Sequence, residues 1–140
     1  MDVRHLIRNT GCTLILGALL ATIALPVNAG GQALSAQEIT ALVTGKTLEG
    51  TNPFKKFEIV TYFAPDGTFR RVRDGKRENG TWTVTSKNEI CMTGEKGTTC
   101  RIMKKEGDVW NAYKIPHNVM KPPSHERRWV RVLEGNPHNL

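Results

Sequence analysis

From Gly45 onward the chain is interrupted by turn signals so closely spaced that no long helix fits between them. Gly45, Thr51-Asn52-Pro53, Pro65-Asp66-Gly67, Asp74-Gly75-Lys76, Gly94-Glu95-Lys96-Gly97 and Glu106-Gly107-Asp108 punctuate the sequence. In such runs proline presets the backbone of a turn and glycine accepts its positive φ. Between them lie short segments rich in β-branched and aromatic residues: FEIVTYFA (57–64), TFRRVR (68–73), GTWTVT (80–85), VWNAYKI (109–115) and RRWVRVL (127–133). Trp82 and Val84 alternate with threonines, the period of a strand with one buried and one wet face. Short strands in sequence order, joined by tight turns, predict an antiparallel meander.

One helix precedes the strands. Ser35-Ala36-Gln37-Glu38 has the S-x-x-E form of a capping box, and Ile39, Leu42 and Val43 fall on one stripe behind it. Gly45 ends it. Pro116 to Glu126 (PHNVMKPPSHE) is too rich in proline for regular structure and reads as the one long loop. The expected fold is therefore all-β with one short N-terminal helix. Seven or eight strands form a small barrel, closed or partly open, with the helix packed over one end or face.

The first residues set the expected compartment. Arg4, His5 and Arg8 precede an uncharged apolar run from Thr13 to Leu25, and Pro26-Val27-Asn28-Ala29 supplies a cleavage site. This is the pattern of a secretory signal peptide, residues 1–29, with cleavage after Ala29 and a periplasmic or secreted product. The run falls short of the roughly 20 apolar residues that span a bilayer. Residues 30–134 then form a single domain, with 135–140 as a loose tail. Cleavage removes two arginines and one aspartate, so the product keeps most of the +7 formal charge. Such a balance favours anionic partners, among them lipid head groups and other envelope components, and export disfavours nucleic acid.

Cys12 leaves with the signal peptide, and Cys91 and Cys100 remain. An even count in an oxidising compartment makes a disulfide the expected state, while zinc needs more ligands and a redox pair is normally C-x-x-C. If Gly94 to Gly97 is a hairpin turn, the two cysteines face each other across antiparallel strands, where a bridge is allowed. The pair reads as a structural staple.

The run YFAPDGTF (62–69), followed by Gly80-Thr81-Trp82 and then the cysteine pair, resembles small exported proteobacterial proteins in family 995 of the domains of unknown function. There a Y-F-x-x-D-G hairpin precedes G-x-W and a cysteine-containing hairpin. The resemblance covers roughly residues 45–105 and rests on turn and core positions. It implies a periplasmic barrel-like domain and assigns no activity and no catalytic residue. The G-x-W is also similar to that of lipocalins, in architecture only, because they carry it on the first barrel strand and here it falls mid-domain.

No residue pattern points to catalysis. Ser35 is a cap, Ser86 lies by a turn, and Ser124 and His125 are adjacent in a loop without a nucleophile elbow. No cofactor motif appears. Three candidate regions remain. The basic run Arg70, Arg71, Arg73, Lys76 and Arg77 is a candidate anion or partner surface, although strand alternation sends Arg71 and Arg73 to the face of Phe69 and Arg70 to the other. Arg127, Arg128 and Arg131 extend it if the barrel closes near the last strand. His117, Met120 and His125 offer imidazole and thioether ligands suited to copper, in a spacing that matches no established motif. The third is the barrel interior, which takes one small ligand if its side chains leave room. The expectation is a non-enzymatic exported binding protein engaging a small apolar ligand inside or an anionic partner outside. The competing readings are a periplasmic copper-handling protein and a small envelope hydrolase.

Overall fold

The computed structural model describes residues 31–116 and 120–140. Residues 1–29, read from the sequence as a signal peptide, and His117 lie outside the described residues. A two-residue strand β1 (Gln32–Ala33) leads into helix α1 (Ala36–Val43), and then eight strands follow: β2 (Lys46–Thr51), β3 (Glu58–Phe63), β4 (Thr68–Arg73), β5 (Lys76–Val84), β6 (Glu89–Gly94), β7 (Gly97–Glu106), β8 (Val109–Lys114) and β9 (Ser124–Glu134). Each of β2 to β9 pairs antiparallel with its neighbours in sequence, and β9 pairs back onto β2. The result is a closed eight-stranded up-and-down barrel with β1 added beside the far half of β7. Closure leaves none of the eight barrel strands with a fully unpaired edge.

The local chemistry follows the turn signals. Asp74 and Gly75 both have positive φ, 51° and 71°, which is the two-residue hairpin turn that matches strand twist. Lys76, read as part of the turn, is the first residue of β5. The helix starts as expected: the Ser35 hydroxyl accepts from the Glu38 amide, and the Glu38 carboxylate accepts from the Ser35 amide at 2.8 Å. Cys91 and Cys100 stand opposite each other in the β6–β7 register and are joined in a disulfide.

The core is gathered at one end. Alternate inward residues Leu48, Phe63, Phe69, Ile90, Met103 and Trp129 fill that half of the barrel, and Ile39 and Val43 of α1 close it from above. The helix is fastened there by the Ala36 amide, which donates to Asn88 Oδ1 in the β5–β6 turn at 2.8 Å. Trp82 packs edge-on against Phe63, and its indole N–H donates to the Ala64 carbonyl at 3.0 Å. Gly80 has a packing reason as well: a Cβ there would come within 2.0 Å of the Thr93 carbonyl oxygen and 2.8 Å of the Phe69 ring. Only a residue without a side chain lets those strands approach so closely.

Two expectations change. The proline-rich loop is shorter than read, because Ser124, His125 and Glu126 already belong to β9, immediately after the last proline. The tail read as loose is tied back along the outer wall. Gly135 N–H donates to the Gly45 carbonyl at 2.9 Å, the Thr47 hydroxyl donates to the Gly135 carbonyl at 2.6 Å, and His138 meets Glu49. No helix among the described residues is long and apolar enough to cross a membrane.

Candidate functional site

Because consecutive hairpins alternate between the two ends, the loops after β2, β4, β6 and β8 all emerge at the end opposite the helix. There the barrel is open. A cavity of about 720 Å³ enters the mouth, with Phe57, Ile59, Phe69 and Met92 forming its apolar wall. Nine cationic side chains line it against three carboxylates.

Four arginines form the inner ring. Strand alternation puts Arg71 and Arg73 of β4 on the face of Phe69, as read from the sequence, and that face is the inner one, so these two do not belong to an outer surface. Glu78, opposite Arg71 in the β4–β5 register, receives Arg71 Nε at 2.8 Å and also pairs with Arg73. Arg101 projects from β7 and donates to Glu126 Oε2 through Nε at 2.9 Å and Nη2 at 2.6 Å. Arg127 of β9 is 4 % exposed and, among the described residues, has no carboxylate in ion-pair contact. Its Nη1 lies 3.8 Å from the Met92 sulfur, which is also 3.9 Å from Arg71 Nη1. Its guanidinium carbon stands 5.8 Å from the centre of the Trp129 ring. A thioether is a weak acceptor, and an aromatic face offers modest cation–π attraction, so neither neutralises the charge.

A bulge supplies one of the two carboxylates. Ala112 pairs with Arg127 and Tyr113 with His125, so Glu126 has no residue opposite it on β8. The extra residue re-aims the strand. Glu126 thereby reaches Arg101 inside the barrel while its neighbour Arg127 also points inward.

The titration behaviour follows from this crowding. Burial, followed by repulsion from Arg101 and Arg71, pushes Arg127 well below the usual arginine range, with Glu126 opposing. Burial lowers Arg71 too, against the bond to Glu78. For Glu78, burial alone would raise the carboxyl, but Arg71 and Arg73 outweigh it and hold it low. Four guanidinium groups facing two carboxylates leave unneutralised positive charge in a half-enclosed cavity. Such charge is costly unless an anion enters.

The other sequence candidates divide. Arg70 stands on the outer face of β4 and reaches only the edge of the cavity lining, where its Nη1 donates to the Leu140 carbonyl at 2.9 Å. Arg77 lines the mouth, and Lys76 is exposed at the turn. Arg128 and Arg131 face outward, Arg131 onto Glu49 at 3.0 Å. The basic run is therefore two sets, and the inward set joins Arg127, which the sequence reading attached to the candidate surface on condition that the barrel closes near the last strand, and Arg101, which it left outside. His125 stacks on Tyr113 at 4.8 Å, and its Nε2 lies 3.0 Å from both Asn111 Oδ1 and the Arg127 carbonyl. Both neighbours accept, so Nε2 carries the hydrogen. Met120 is 87 % exposed. Among the described residues, the metal-ligating atoms that come together are those of Glu89, Cys91 and Cys100, and there the two sulfurs are bonded to each other.

No protein-family model matches the chain. A search of curated proteins finds no significant match.

Proposed function

We propose that the protein is a small non-enzymatic binding protein that takes an anionic ligand in the open half of its barrel. The observation that carries this reading is Arg127, buried beside Arg101 and Arg71 at the base of a cavity and lacking a carboxylate of its own among the described residues. A ligand carboxylate or phosphate entering there meets several guanidinium groups, each able to bond in a planar fork. Phe57, Ile59 and Phe69 give the same ligand an apolar wall. The disulfide and the basic composition support an exported protein of periplasmic or secreted location. Membership of the family of unknown function named above belongs to the same proposal, on the strength of the YFAPDGTF, GTW and cysteine-hairpin pattern. The setting of Ser124 and His125 favours binding over hydrolysis, since the ring that would activate the serine is stacked and hydrogen-bonded to Asn111 and the backbone.

The test is the mass of the exported protein, isolated from its source and kept folded, set against the mass of its denatured chain. An added organic anion, absent when the Arg127→Met variant is isolated in the same way, is the expected result. A folded wild-type protein with no added mass, unable to take up any of a panel of carboxylates and phosphates in titration calorimetry, would overturn the reading. An added metal ion kept in Arg127→Met would turn attention to the His117, Met120 and His125 region and would equally reject it.

A further inference from the structure

The rim around the mouth differs from the rest of the surface. Among the described residues, four large apolar side chains are prominently exposed, namely Phe54, Ile115, Met120 and Val130, and the first three lie on the loops that surround the cavity entrance. Phe54 is 74 % exposed although its turn is firmly built. Asn52 Oδ1 accepts from the Phe54 amide at 3.0 Å and the Lys55 amide at 2.7 Å, and Asn52 Nδ2 donates across to the Glu126 carbonyl at 3.0 Å. The Asn52 backbone adds bonds to Phe57 and Lys56. A turn tied to its own strands and to β9 presents the phenyl ring outward by construction, and exposing so large an apolar side chain brings no folding benefit.

Cations accompany these apolar tips. Lys55 and Lys56 follow Phe54, Lys114 precedes Ile115, Lys121 follows Met120, and Lys96 occupies the turn between β6 and β7. We propose that this rim docks on a bilayer surface bearing anionic head groups, with Phe54 and Ile115 entering the head-group and acyl boundary and the lysines meeting the phosphates. Apolar tips ringed by long cationic side chains are what such an interface selects, because the stems lie along apolar surface while the charges stay with the head groups. A soluble acidic protein would match the charge but would not explain why the exposed apolar residues gather at one end. The mouth then faces the lipid. This inference does not rest on the pocket being an anion site, since Phe54 and Ile115 lie outside the cavity lining, although Lys55, Lys96 and Lys114 also stand at its entrance.

The experiment is co-sedimentation of the mature protein with vesicles of phosphatidylcholine alone and of phosphatidylcholine mixed with phosphatidylglycerol, at low and high salt. The wild type is expected to sediment with the mixed vesicles only and to be released by salt. Phe54→Ser should weaken that binding about tenfold, and Lys55→Gln and Lys96→Gln roughly fivefold each. Val130→Ser, which alters the exposed apolar residue away from the rim, should bind as the wild type does. Near-ultraviolet circular dichroism confirms that each variant is folded. Equal binding to both vesicle types, no binding to either, or a folded Phe54→Ser that binds like the wild type would each overturn the proposal. The last outcome would reduce the rim to a simple ion-exchange surface.

Discussion

The two halves of this barrel share strands, register and hydrogen-bond ladder, yet they hold opposite contents. Beneath the helix, Leu48, Phe63, Ile90, Met103 and Trp129 close around Ile39 and Val43 until no room remains. Toward the mouth the same inward-facing rows continue as Arg71, Arg73, Arg101 and Arg127 around a cavity. Residues two apart on one strand mark the change: Phe69 gives way to Arg71, Met103 to Arg101, and Trp129 to Arg127. The plugged half supplies stability, and the mouth half spends some of it on concentrated charge. The difference teaches that a small barrel does not need a separate domain to build a site, because one end of its interior can be left unfilled.

The sharpest way to break this division is to damage the plugged half. Phe63→Ala removes a 2 % exposed ring from the centre of the core and is expected to cost about 3–5 kcal/mol, read as a fall in the denaturant midpoint with little change in slope. If the loss is below about 1 kcal/mol, the helix-covered end is not where the stability resides. The mouth should respond in the opposite sense. Arg127→Met replaces an unneutralised buried cation with a side chain that suits Met92 and Trp129, and the ligand-free variant should gain about 1–3 kcal/mol. A folded but destabilised Arg127→Met would mean that the arginine is structural, and the division between the halves would fail.

The smallest effect is acid sensitivity at the mouth. Burial alone would raise the Glu78 carboxyl, but Arg71 and Arg73 together hold it below the ordinary glutamate range. A carboxylate with a depressed folded pKa contributes stability that is fully present above its unfolded pKa and is lost as pH falls through the folded value. Stability should therefore decline below about pH 4.5, by on the order of 1 kcal/mol for this group, and Glu78→Gln should flatten that part of the profile. An unchanged acid limb in Glu78→Gln would show that the pair carries no net stability.

How much of this was legible in the sequence depended on whether the signal was local. The capping box at Ser35 and Glu38, the Pro65 to Gly67 and Asp74-Gly75 turns, and the facing of Cys91 with Cys100 all follow from residues close in sequence. The inward direction of Arg71 and Arg73 was legible through their shared face with Phe69. Arg101 was not, because both faces of β7 mix apolar and polar residues: Cys100 and Ile102 alternate with Arg101 and Met103, and periodicity cannot say which row is inside. Arg127 shares a face with Trp129 as Arg71 does with Phe69, but Glu126 was hidden by the bulge in β9, which breaks the alternation by which a strand is read. Two-residue β1 carried no pattern long enough to detect.

The bulge also sets how this interior can change over generations. In an unbroken β9 with Arg127 and Trp129 inside, residue 126 would face outward and the position of His125 inward. Deleting Glu126 would place His125 directly before Arg127, where it keeps its outward position opposite Tyr113, and would bring Ser124 to the inward place, so a carboxylate leaves the cavity and no ionisable group replaces it. A change in chain length, with no substitution in any of the arginines, would then leave Arg101 without its ion-pair partner and raise the positive charge of the mouth. For this architecture a single-codon deletion is a larger electrostatic step than most point mutations in the same strand.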